Sequence, residues 1–546
     1  MTRMDLLGRY RAIKTLLWPR QGERLIPAVS GVLLALSFPP LHILIPPFVG
    51  LVPFALWMQR CPPDHEGRQA VVRGSIVFGA IYFGIVFYWI LVALIWFTPL
   101  AVLAFLSALL ALIGIAALFG WIFHRAVHTV GAPLWLALPI AWTAAEWTRA
   151  HLPSTIAFPW LGLGTSLTGF PELVGIAELV GSRGVTFWLA LVNGLLASLV
   201  LGFVEGTSLR RRLGLITTIV VVVLGPMQWG IWRATTLETR EIATVAVVQP
   251  NVPEHIKLDT RAGIDSTLIS LQREMPRIPP GTVDLVVMPE VTLSIFPAWE
   301  MHSDWVYPIS EWAGYVRAPI LMGGLGYEGD LTNGDYTPFN SAFLINAEGV
   351  TDYQYDKRYL VPFVERVPLL PVEWFDAFRY FGGYGVGKGW PLAEVEGTRY
   401  GVLICYESSY PEASRKFRQE GAEVLINITN DAWYGREPLY ARTTALWQHP
   451  AHMVMRAIEN RVGVARAANT GISLFIDPRG HVYDETEFFT SDVHVSVVET
   501  TDIQTFYTLY GDLVGSSSAI AAFLLVLGSF RLARQSRSLD PPSRDV

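Results

Sequence analysis

Long apolar segments constrain the fold of this 546-residue chain more than any other feature of its sequence. A helix of about 20 apolar residues can cross a bilayer. Hydrophobic residues make up 51% of the chain and charged residues only 16%, which is typical of a membrane protein. The clear candidate spans are 74–97, 100–123, 184–203, 213–232 and 513–530, and a shorter candidate, 133–146, ends at Glu146.

The stretch 25–58 is predicted to form two short spans because Pro39-Pro40 and Pro46-Pro47 interrupt it. Seven helices then precede residue 240, and an eighth follows residue 505. Under this assignment the basic clusters share one set of helix ends, at 3–24, 60–73, 125, 210–212 and 531–537. The opposite loops 40–46 and 97–100 contain no Lys or Arg, and 147–183 contains only Arg149 and Arg183. This positive-inside pattern predicts cytoplasmic termini and places 240–505 outside.

The distribution of charge and hydropathy divides the chain into five parts. We predict a basic N-terminus at 1–24, seven transmembrane helices in 25–232, a water-soluble domain at 240–505, an eighth helix at 513–530 and a tail at 531–546. Apolar and basic residues alternate at helical spacing in 4–17, which indicates either a surface-lying amphipathic helix or an unstructured basic tail. The net charge of −6 argues against a nucleic-acid partner, and two distant cysteines exclude a disulfide framework.

Short β-branched runs recur through the soluble domain, with helical patterns between some of them. Several runs are apolar throughout, as expected of strands covered on both faces. Strands mixed with helices in this way predict a layered α/β sandwich. The runs are 242–248, 283–288, 319–325, 341–346, 401–405, 423–428, 462–467 and 472–476, and the helical patterns are 260–275, 300–316, 408–420 and 441–461.

Three polar residues that follow or end predicted strands are candidates for one shared site. Glu290 and Lys357 come after strand runs, and Cys405 ends the run 401–405. Strand ends meet at one edge of a sheet, so these side chains can converge. A thiolate is a nucleophile, a carboxylate can accept its proton, and an ammonium can stabilise an oxyanion. Taken singly, each residue has an ordinary structural explanation, so the argument depends on the set.

Characteristic motifs surround these residues and recur elsewhere in the chain. Around the three candidates stand Met288-Pro289-Glu290, Lys357-Arg358-Tyr359-Leu360-Val361-Pro362-Phe363 and Ile404-Cys405-Tyr406-Glu407. Further motifs are Val364-Glu365-Arg366-Val367-Pro368, Asn430-Asp431-Ala432-Trp433-Tyr434-Gly435, Arg456-Ala457-Ile458-Glu459-Asn460, Phe158-Pro159-Trp160 and Leu509-Tyr510-Gly511-Asp512. Together they resemble the Glu–Lys–Cys signature of the nitrilase superfamily, in the variant of the apolipoprotein N-acyltransferases, which are membrane enzymes of bacterial lipoprotein maturation.

The resemblance implies a fold and a set of residue roles. The fold would be a polytopic α-helical membrane domain joined to an extracytoplasmic nitrilase-like α/β domain, an α-β-β-α sandwich. Cys405 would be the nucleophile, Glu290 the general base and Lys357 the cation that stabilises the oxyanion. The resemblance also assigns site support or substrate contact to Glu365, Tyr406, Glu407 and Trp433. The backbone N–H of Tyr406 would be a candidate oxyanion donor. Trp433 would either contact substrate or serve as a core aromatic residue.

The implied reaction moves an acyl chain from a membrane phospholipid, through a Cys405 thioester, to the α-amino group of a diacylglyceryl-cysteine at an apolipoprotein N-terminus. Such two-step chemistry predicts ping-pong kinetics. The resemblance further implies a multi-pass protein of the bacterial inner membrane with its catalytic domain on the periplasmic side. We expect no metal or organic cofactor, and a monomer.

Three positions depart from the family pattern. Leu258 stands where the family often has tryptophan after Lys257, Met288 stands where tryptophan is usual, and Val364 stands where glycine is usual. We expect these changes to alter the walls of the pocket more than the reacting groups, and so the acyl chain or lipid that fits.

Two other functions stay open at this point. A membrane-tethered nitrilase-type amidase would use the same nucleophile but let water intercept the acyl-enzyme. A non-catalytic lipoprotein-binding scaffold would not need Cys405 at all. His449 and His452 are close in sequence, but without a third ligand they do not predict a metal site.

Overall fold

The computed structural model of the protein describes residues 19–95, 101–153, 156–362, 364–366 and 383–539. The predicted amphipathic helix at 4–17, the loop 97–100 and the end of the predicted tail lie outside the described residues. So do Phe363 and the Val367-Pro368 pair of the motifs above.

Helices form the part of the chain that precedes residue 240. Five helices of the described chain are long and apolar enough to cross a membrane: His65–Phe87, Ala101–Val130, Ala177–Val204, Leu209–Thr236 and Leu513–Gln535. Each of them overlaps one of the five clear candidate spans. The helices here are α1 (Leu25–Ala35), α2 (Pro46–Val49), α3 (Val52–Arg60), α4 (His65–Phe87), α5 (Trp89–Ile95), α6 (Ala101–His124), α7 (Leu134–His151), α8 (Ala177–Val204) and α9 (Leu209–Thr236).

Two of these helices extend beyond the apolar runs because polar groups are satisfied locally. Helix α4 begins at His65, where the Asp64 side chain accepts a hydrogen bond from the Gly67 N–H at 2.8 Å and caps the first turn. Helix α7 continues past Glu146, whose buried carboxylate accepts from the Trp142 indole N–H at 3.0 Å. Apolar content alone therefore underestimates the lengths of both helices.

Two six-stranded sheets form the core of the domain that follows. The first has the order β12-β1-β2-β3-β4-β5 and the second the order β11-β10-β9-β8-β7-β6. Strands β1, β2 and β3 are parallel, as are β7, β8 and β9, and antiparallel strands flank each trio. The strands are β1 (Arg240–Gln249), β2 (Leu285–Val287), β3 (Ile320–Asp330), β4 (Asp335–Asn346), β5 (Gly349–Asp356), β6 (Ala393–Val395), β7 (Thr398–Ile404), β8 (Val424–Thr429), β9 (Gly463–Ala468), β10 (Leu474–Ile476), β11 (Val482–Tyr483) and β12 (Asp492–Thr500).

Alternate residues of the central strands face two different cores. In β1, Val245 and Val247 belong to the core between the two sheets, whereas Ala246 and Val248 belong to the core under the outer helices. Successive side chains of a strand point to opposite faces, and here both faces lie in a core. The predicted runs are therefore apolar at nearly every position.

Helices cover the outer face of each sheet and complete four layers. Residues of α11 and α12 pack with the first sheet, and α13 and α14 pack with the second. The helices are α10 (Glu254–Lys257), α11 (Thr260–Glu274), α12 (Ser303–Val316), α13 (Pro411–Glu420), α14 (Ala445–Asn460), α15 (Phe506–Tyr510) and α16 (Leu513–Leu539). The layers have the predicted α-β-β-α order, and each of the eight predicted strand runs overlaps an observed strand.

Buried and partly buried ion pairs attach this domain to the membrane helices. The Arg461 Nε, just after α14, lies 2.8 Å from the Glu178 Oε2 of α8. Arg183 of the same helix lies 2.8 Å from Glu412 and 2.9 Å from Asp512. Removing one partner of such a pair would leave a buried charge uncompensated, so these contacts fix the orientation of the domain on the helices.

Candidate active site

Cys405 occupies a tight turn at the carboxyl end of β7. Its φ angle is +51°, a left-handed conformation that is uncommon for residues other than glycine, and its side chain is 6% exposed. Two contacts hold the turn: Glu407 accepts from the Ile404 N–H at 2.8 Å, and the His449 Nε2 lies 3.1 Å from the Cys405 carbonyl oxygen. These contacts on both sides of Cys405 hold its backbone in the left-handed conformation.

Glu290 follows β2 by three residues and is buried among hydrogen-bond donors. Its Oε1 accepts from the Asn340 Nδ2 at 2.7 Å and lies 3.2 Å from the Lys357 Nζ. Its Oε2 accepts from the Asn430 backbone N–H at 3.0 Å. These donors hold the carboxylate in one orientation inside the pocket.

The backbone of β3 approaches the Glu290 loop so closely that one position must be glycine. A Cβ atom on Gly323 would lie 2.3 Å from the Val291 nitrogen, which is far inside van der Waals contact. The Gly323 N–H donates to the Pro289 carbonyl at 3.0 Å, and the Thr292 N–H donates to the Gly323 carbonyl at 2.9 Å. Gly323 therefore sets the position of the carboxylate from the neighbouring strand.

Lys357 comes directly after β5 and is 1% exposed. Its backbone N–H donates to the Asn340 carbonyl at 2.8 Å, which fixes the start of the loop. Its Nζ lies 2.9 Å from the Glu365 Oε1 and 3.2 Å from the Glu290 Oε1. The Asn340 Nδ2 donates to both carboxylates, at 2.7 Å each. One ammonium and one amide thus bridge two buried carboxylates.

Burial and the neighbouring charges set the protonation of Glu290, Lys357 and Cys405. Burial alone would raise the pKa of the Glu290 carboxyl, but Lys357 and Asn340 hold it below its usual value. Burial would lower the pKa of Lys357, but Glu290 and Glu365 hold it well above. Burial and then the Glu290 charge raise the pKa of the Cys405 thiol, partly opposed by Lys357. The resting site therefore pairs a neutral thiol with an ionised carboxylate and a charged amine.

The two other glutamates of the predicted site hold its framework. The Glu365 Oε2 accepts from the Val361 N–H at 2.8 Å, so this residue closes the loop that follows Lys357. Glu407 is fully buried and accepts four hydrogen bonds, from the Tyr355 hydroxyl and three backbone N–H groups. Those groups belong to both the Lys357 loop and the Cys405 turn, so the Glu407 carboxylate joins the two.

The side chain of Tyr406 points toward the membrane helices. Its hydroxyl donates to the Ala157 carbonyl at 3.3 Å, and its ring lies parallel to the Trp160 ring with centroids 6.0 Å apart. Its predicted contribution through the backbone N–H stays a prediction. Its ring connects the Cys405 turn to the Phe158-Pro159-Trp160 segment of the membrane part.

A cavity of about 220 Å³ opens between the loops that follow β1 and β8. Trp433, which is half-buried, lines it together with Asn251 and Glu254. The Glu254 carboxylate accepts from the Asn430 Nδ2 at 2.7 Å, and the backbone of Asn430 contacts Glu290. The position of Trp433 suits the substrate contact that the sequence predicts, and that role stays a prediction.

Sequence reasoning gave no role to two residues that complete the site, Asn340 and Asn430. Asn340 was not singled out, although it is a buried polar residue, beside Ser341, in the part of β4 from Phe339 to Ile345 that is otherwise apolar. Asn430 follows β8 directly, so the strand-end signal that selected Cys405 applies to it equally.

Two family models match the two main parts of the chain. Residues 30–195 match the family described as apolipoprotein N-acyltransferase N-terminal domain, and residues 244–506 match carbon-nitrogen hydrolase. An apolipoprotein N-acyltransferase of Geobacter metallireducens is 31% identical over 94% of this chain and 96% of its own length. One of Chlorobaculum tepidum is 29% identical over 90% and 93%. A solved amidase of the nitrilase superfamily, from Nesterenkonia, is 18% identical with a TM-score of 0.35, covering 49% of this chain and 94% of its own. The chain belongs to the apolipoprotein N-acyltransferase family.

Proposed function

We propose that this protein transfers an acyl chain from a membrane phospholipid to the α-amino group of a diacylglyceryl-cysteine at the N-terminus of an apolipoprotein. One observation carries the proposal. The Glu290 carboxylate and the Lys357 ammonium are buried 3.2 Å apart, and the turn that bears the Cys405 thiol packs through Tyr406 on Trp160 of the membrane part. A site built in this way can serve substrates that are anchored in the bilayer.

The first half-reaction forms a thioester. Glu290 removes the proton of the Cys405 thiol as sulfur attacks the sn-1 ester carbonyl of the phospholipid. Because the pKa of the carboxyl is lowered and that of the thiol is raised, the proton moves together with formation of the C–S bond rather than before it. Lys357 and backbone N–H groups, including that of Tyr406, stabilise the oxyanion. The intermediate then expels the glycerol oxygen, which takes the proton from Glu290 and leaves as lysophospholipid.

The second half-reaction consumes the thioester. The neutral α-amine of the acceptor attacks the acyl carbonyl, and Glu290 accepts a proton from the nitrogen. Collapse of the tetrahedral intermediate forms the amide bond and expels the Cys405 sulfur, which recovers a proton from Glu290. The acceptor can enter only after lysophospholipid leaves, so the kinetics are ping-pong.

The surroundings of the site support lipid-anchored substrates at the membrane surface. Buried and partly buried ion pairs and the Tyr406 contact hold the domain against the membrane helices. The charge of the loops supports an orientation with residues 240–505 on the periplasmic side of the bacterial inner membrane. The protein acts as a monomer, and the chemistry needs no metal or organic cofactor.

Product analysis tests the proposed function. Purified protein in detergent is incubated with a phospholipid labelled in its sn-1 chain and a synthetic diacylated lipopeptide. We expect label on the peptide amine and an equal amount of lysophospholipid. Cys405→Ser should abolish transfer, whereas the matched variant Cys61→Ser should keep it. Label released only as free fatty acid would support the amidase alternative, and normal activity of Cys405→Ser would support a scaffold.

A further inference from the structure

The cavity between the loops that follow β1 and β8 is lined by residues with unused hydrogen-bond acceptors. Glu254 begins the short helix α10, and its Oε2 accepts from the Asn430 Nδ2 at 2.7 Å. Among the described residues, none donates to its other oxygen, Oε1. The Asn251 Nδ2 donates to the Phe489 carbonyl at 2.8 Å, which fixes the amide and leaves its Oδ1 as a second acceptor without a donor in the described chain.

Thr470 adds a third polar group to the wall of this cavity. The residue is 2% exposed, and its hydroxyl has no hydrogen-bond partner in the part of the chain that the structure describes. Buried polar groups in folded proteins nearly always have a partner, because leaving one unpaired is costly. An unpaired hydroxyl in a cavity wall therefore indicates a ligand that supplies the missing hydrogen bond.

The Glu254 carboxylate is not fully compensated by the protein itself. Burial raises the pKa of this carboxyl more than Lys257 and the Asn430 amide lower it. Lys257 belongs to the same short helix, but its Nζ donates to the Glu290 carbonyl oxygen at 3.4 Å, and no ion pair joins it to Glu254 in the described chain. A cation bound in the cavity would therefore stabilise the ionised carboxylate.

The other groups that line the cavity favour a cation over an anion. The remaining titratable residues of its lining, His255, Arg436 and Glu437, are all exposed, and the opposite charges of the last two largely cancel. The less exposed lining contains the Glu254 carboxylate and the Trp433 ring. Aromatic faces attract cations that lie within about 6 Å.

A primary ammonium group is the cation that fits this lining best. It has three N–H donors and no acceptor, so it can use a carboxylate, an amide oxygen and a hydroxyl at once. A calcium ion would need about six to eight oxygen ligands, which is more than these three side chains offer. The described residues also contain no group of three His, Cys, Asp or Glu side chains that could hold a metal ion.

The cavity lies one residue away from the proposed general base and on a loop that contacts the membrane part. The side chain of Asn430 donates to Glu254, while its backbone N–H donates to the Glu290 Oε2 at 3.0 Å. The same loop continues to Tyr434, whose ring centroid lies 5.2 Å from that of Trp89 in α5. A molecule anchored in the bilayer can therefore present a polar group to this cavity.

We propose that four side chains of this cavity form a subsite for the primary ammonium group of a lipid-anchored substrate: Asn251, Glu254, Trp433 and Thr470. This inference rests on the proposed function, which supplies such substrates. Two of them carry the group, namely the acceptor with its α-amine and a phospholipid with an ethanolamine headgroup. We expect the acceptor, because Asn430 joins the subsite to Glu290, which takes the proton from the acceptor nitrogen.

The first arm of the test measures binding without transfer. Protein with Cys405→Ser, in nanodiscs of phosphatidylglycerol, is titrated with a diacylated lipopeptide that has a free α-amine and, separately, with its N-acetylated form. The free amine should bind at least about tenfold more tightly. Adding Glu254→Gln, which removes the charge and keeps the shape, should reduce this preference to about twofold or less.

The second arm measures the donor. Thioester formation on Cys405 is followed with phosphatidylethanolamine and phosphatidylglycerol of identical acyl chains. If the headgroup occupies the subsite, Glu254→Gln should lower the ratio of the two rates by about tenfold. An effect in the first arm assigns the subsite to the acceptor and an effect in the second assigns it to the donor, and either supports the proposal. No effect of Glu254→Gln in either arm would overturn it.

Glu437→Gln is the matched control, because it removes a negative charge from the exposed edge of the same cavity. Water screens an exposed charge, so both arms should stay unchanged. Equal effects of Glu437→Gln and Glu254→Gln would show that general charge rather than a built subsite is responsible, and would overturn the proposal.

Thr470→Val provides a second variant in case Glu254→Gln does not fold. Valine has the shape of threonine and removes a hydroxyl that has no partner in the described chain, so stability should be kept or raised. The amine preference should fall by about three- to tenfold, and an unchanged preference would overturn the proposed set of residues. The two proposals fail separately: amine preference without acyl transfer would refute the function alone, and transfer without amine preference in either arm would refute the subsite alone.

Discussion

Replacing Glu407 by glutamine should loosen the contact between the Cys405 turn and the Lys357 loop. The carboxylate Oε1 accepts from the Tyr355 hydroxyl at 2.8 Å and from the Arg358 and Tyr359 N–H groups at 2.8 and 3.2 Å. The Oε2 accepts from the Ile404 N–H at 2.8 Å. A glutamine has one oxygen and one NH₂, so in either orientation an N–H must face another N–H.

The least costly orientation turns the amide oxygen toward the three donors and the NH₂ toward Ile404. One buried backbone N–H then loses its acceptor, which costs about 1–3 kcal/mol, and the other three hydrogen bonds lose the strength that charge gives them. A neutral amide is easier to bury than a carboxylate whose pKa burial has raised, which offsets part of the loss. We expect a net loss of about 2–3 kcal/mol in the free energy of unfolding.

The assay combines a denaturation curve in detergent with single-turnover acylation of Cys405. Because the lost bond holds the turn rather than the reacting atoms, acylation should slow by about ten- to a hundredfold while the thiol stays present. Glu420→Gln is the control, since this exposed residue lies at the end of α13. Wild-type stability and acylation rate in Glu407→Gln would refute the view that its carboxylate joins the two loops.

Three further predictions concern the reacting groups. Glu290→Gln should abolish transfer yet speed iodoacetamide alkylation, because the Glu290 charge raises the pKa of Cys405; slower alkylation would contradict this. Lys357→Met should slow both reactions, because the ammonium lowers that pKa and would stabilise the oxyanion; unchanged alkylation would count against it. In the wild type, acylation should be nearly independent of pH between about 6 and 9, where the thiol is protonated and Glu290 ionised, whereas alkylation should rise with pH. A rise of the acylation rate with pH in parallel with the alkylation rate would indicate a preformed thiolate.

The fold class and the family were predictable because they depend on strong local signals. Apolar runs of spanning length, β-branched runs and strand-end motifs are all visible in short windows, and both the fold class and the family are confirmed. The sequence analysis did not predict β5, β6, β11 and β12. These strands lie at the edges of the two sheets, and each of them either contains polar residues or is very short. Their pairing depends on neighbouring strands rather than on their own composition.

Sequence reasoning selected the three central candidate residues but not the residues that hold them in place. Glu290, Lys357 and Cys405 each follow or end a strand, so topology alone suggested that they meet. The roles of Asn340 and His449 arise from contacts across 50 and 44 residues of chain, to Glu290 and to the Cys405 carbonyl. No spacing rule links such positions, and only the packing of β4 and α14 against the loops reveals them.

The most direct test of the account is the mass of the protein after one half-reaction. The protein is incubated with a phospholipid of one defined acyl chain and no acceptor, then digested and sequenced by mass spectrometry. The account predicts a single acyl group on Cys405 that hydroxylamine removes and that a diacylated lipopeptide discharges as the amide. An acyl group on another residue, or product formed while Cys405 is never acylated, would contradict it.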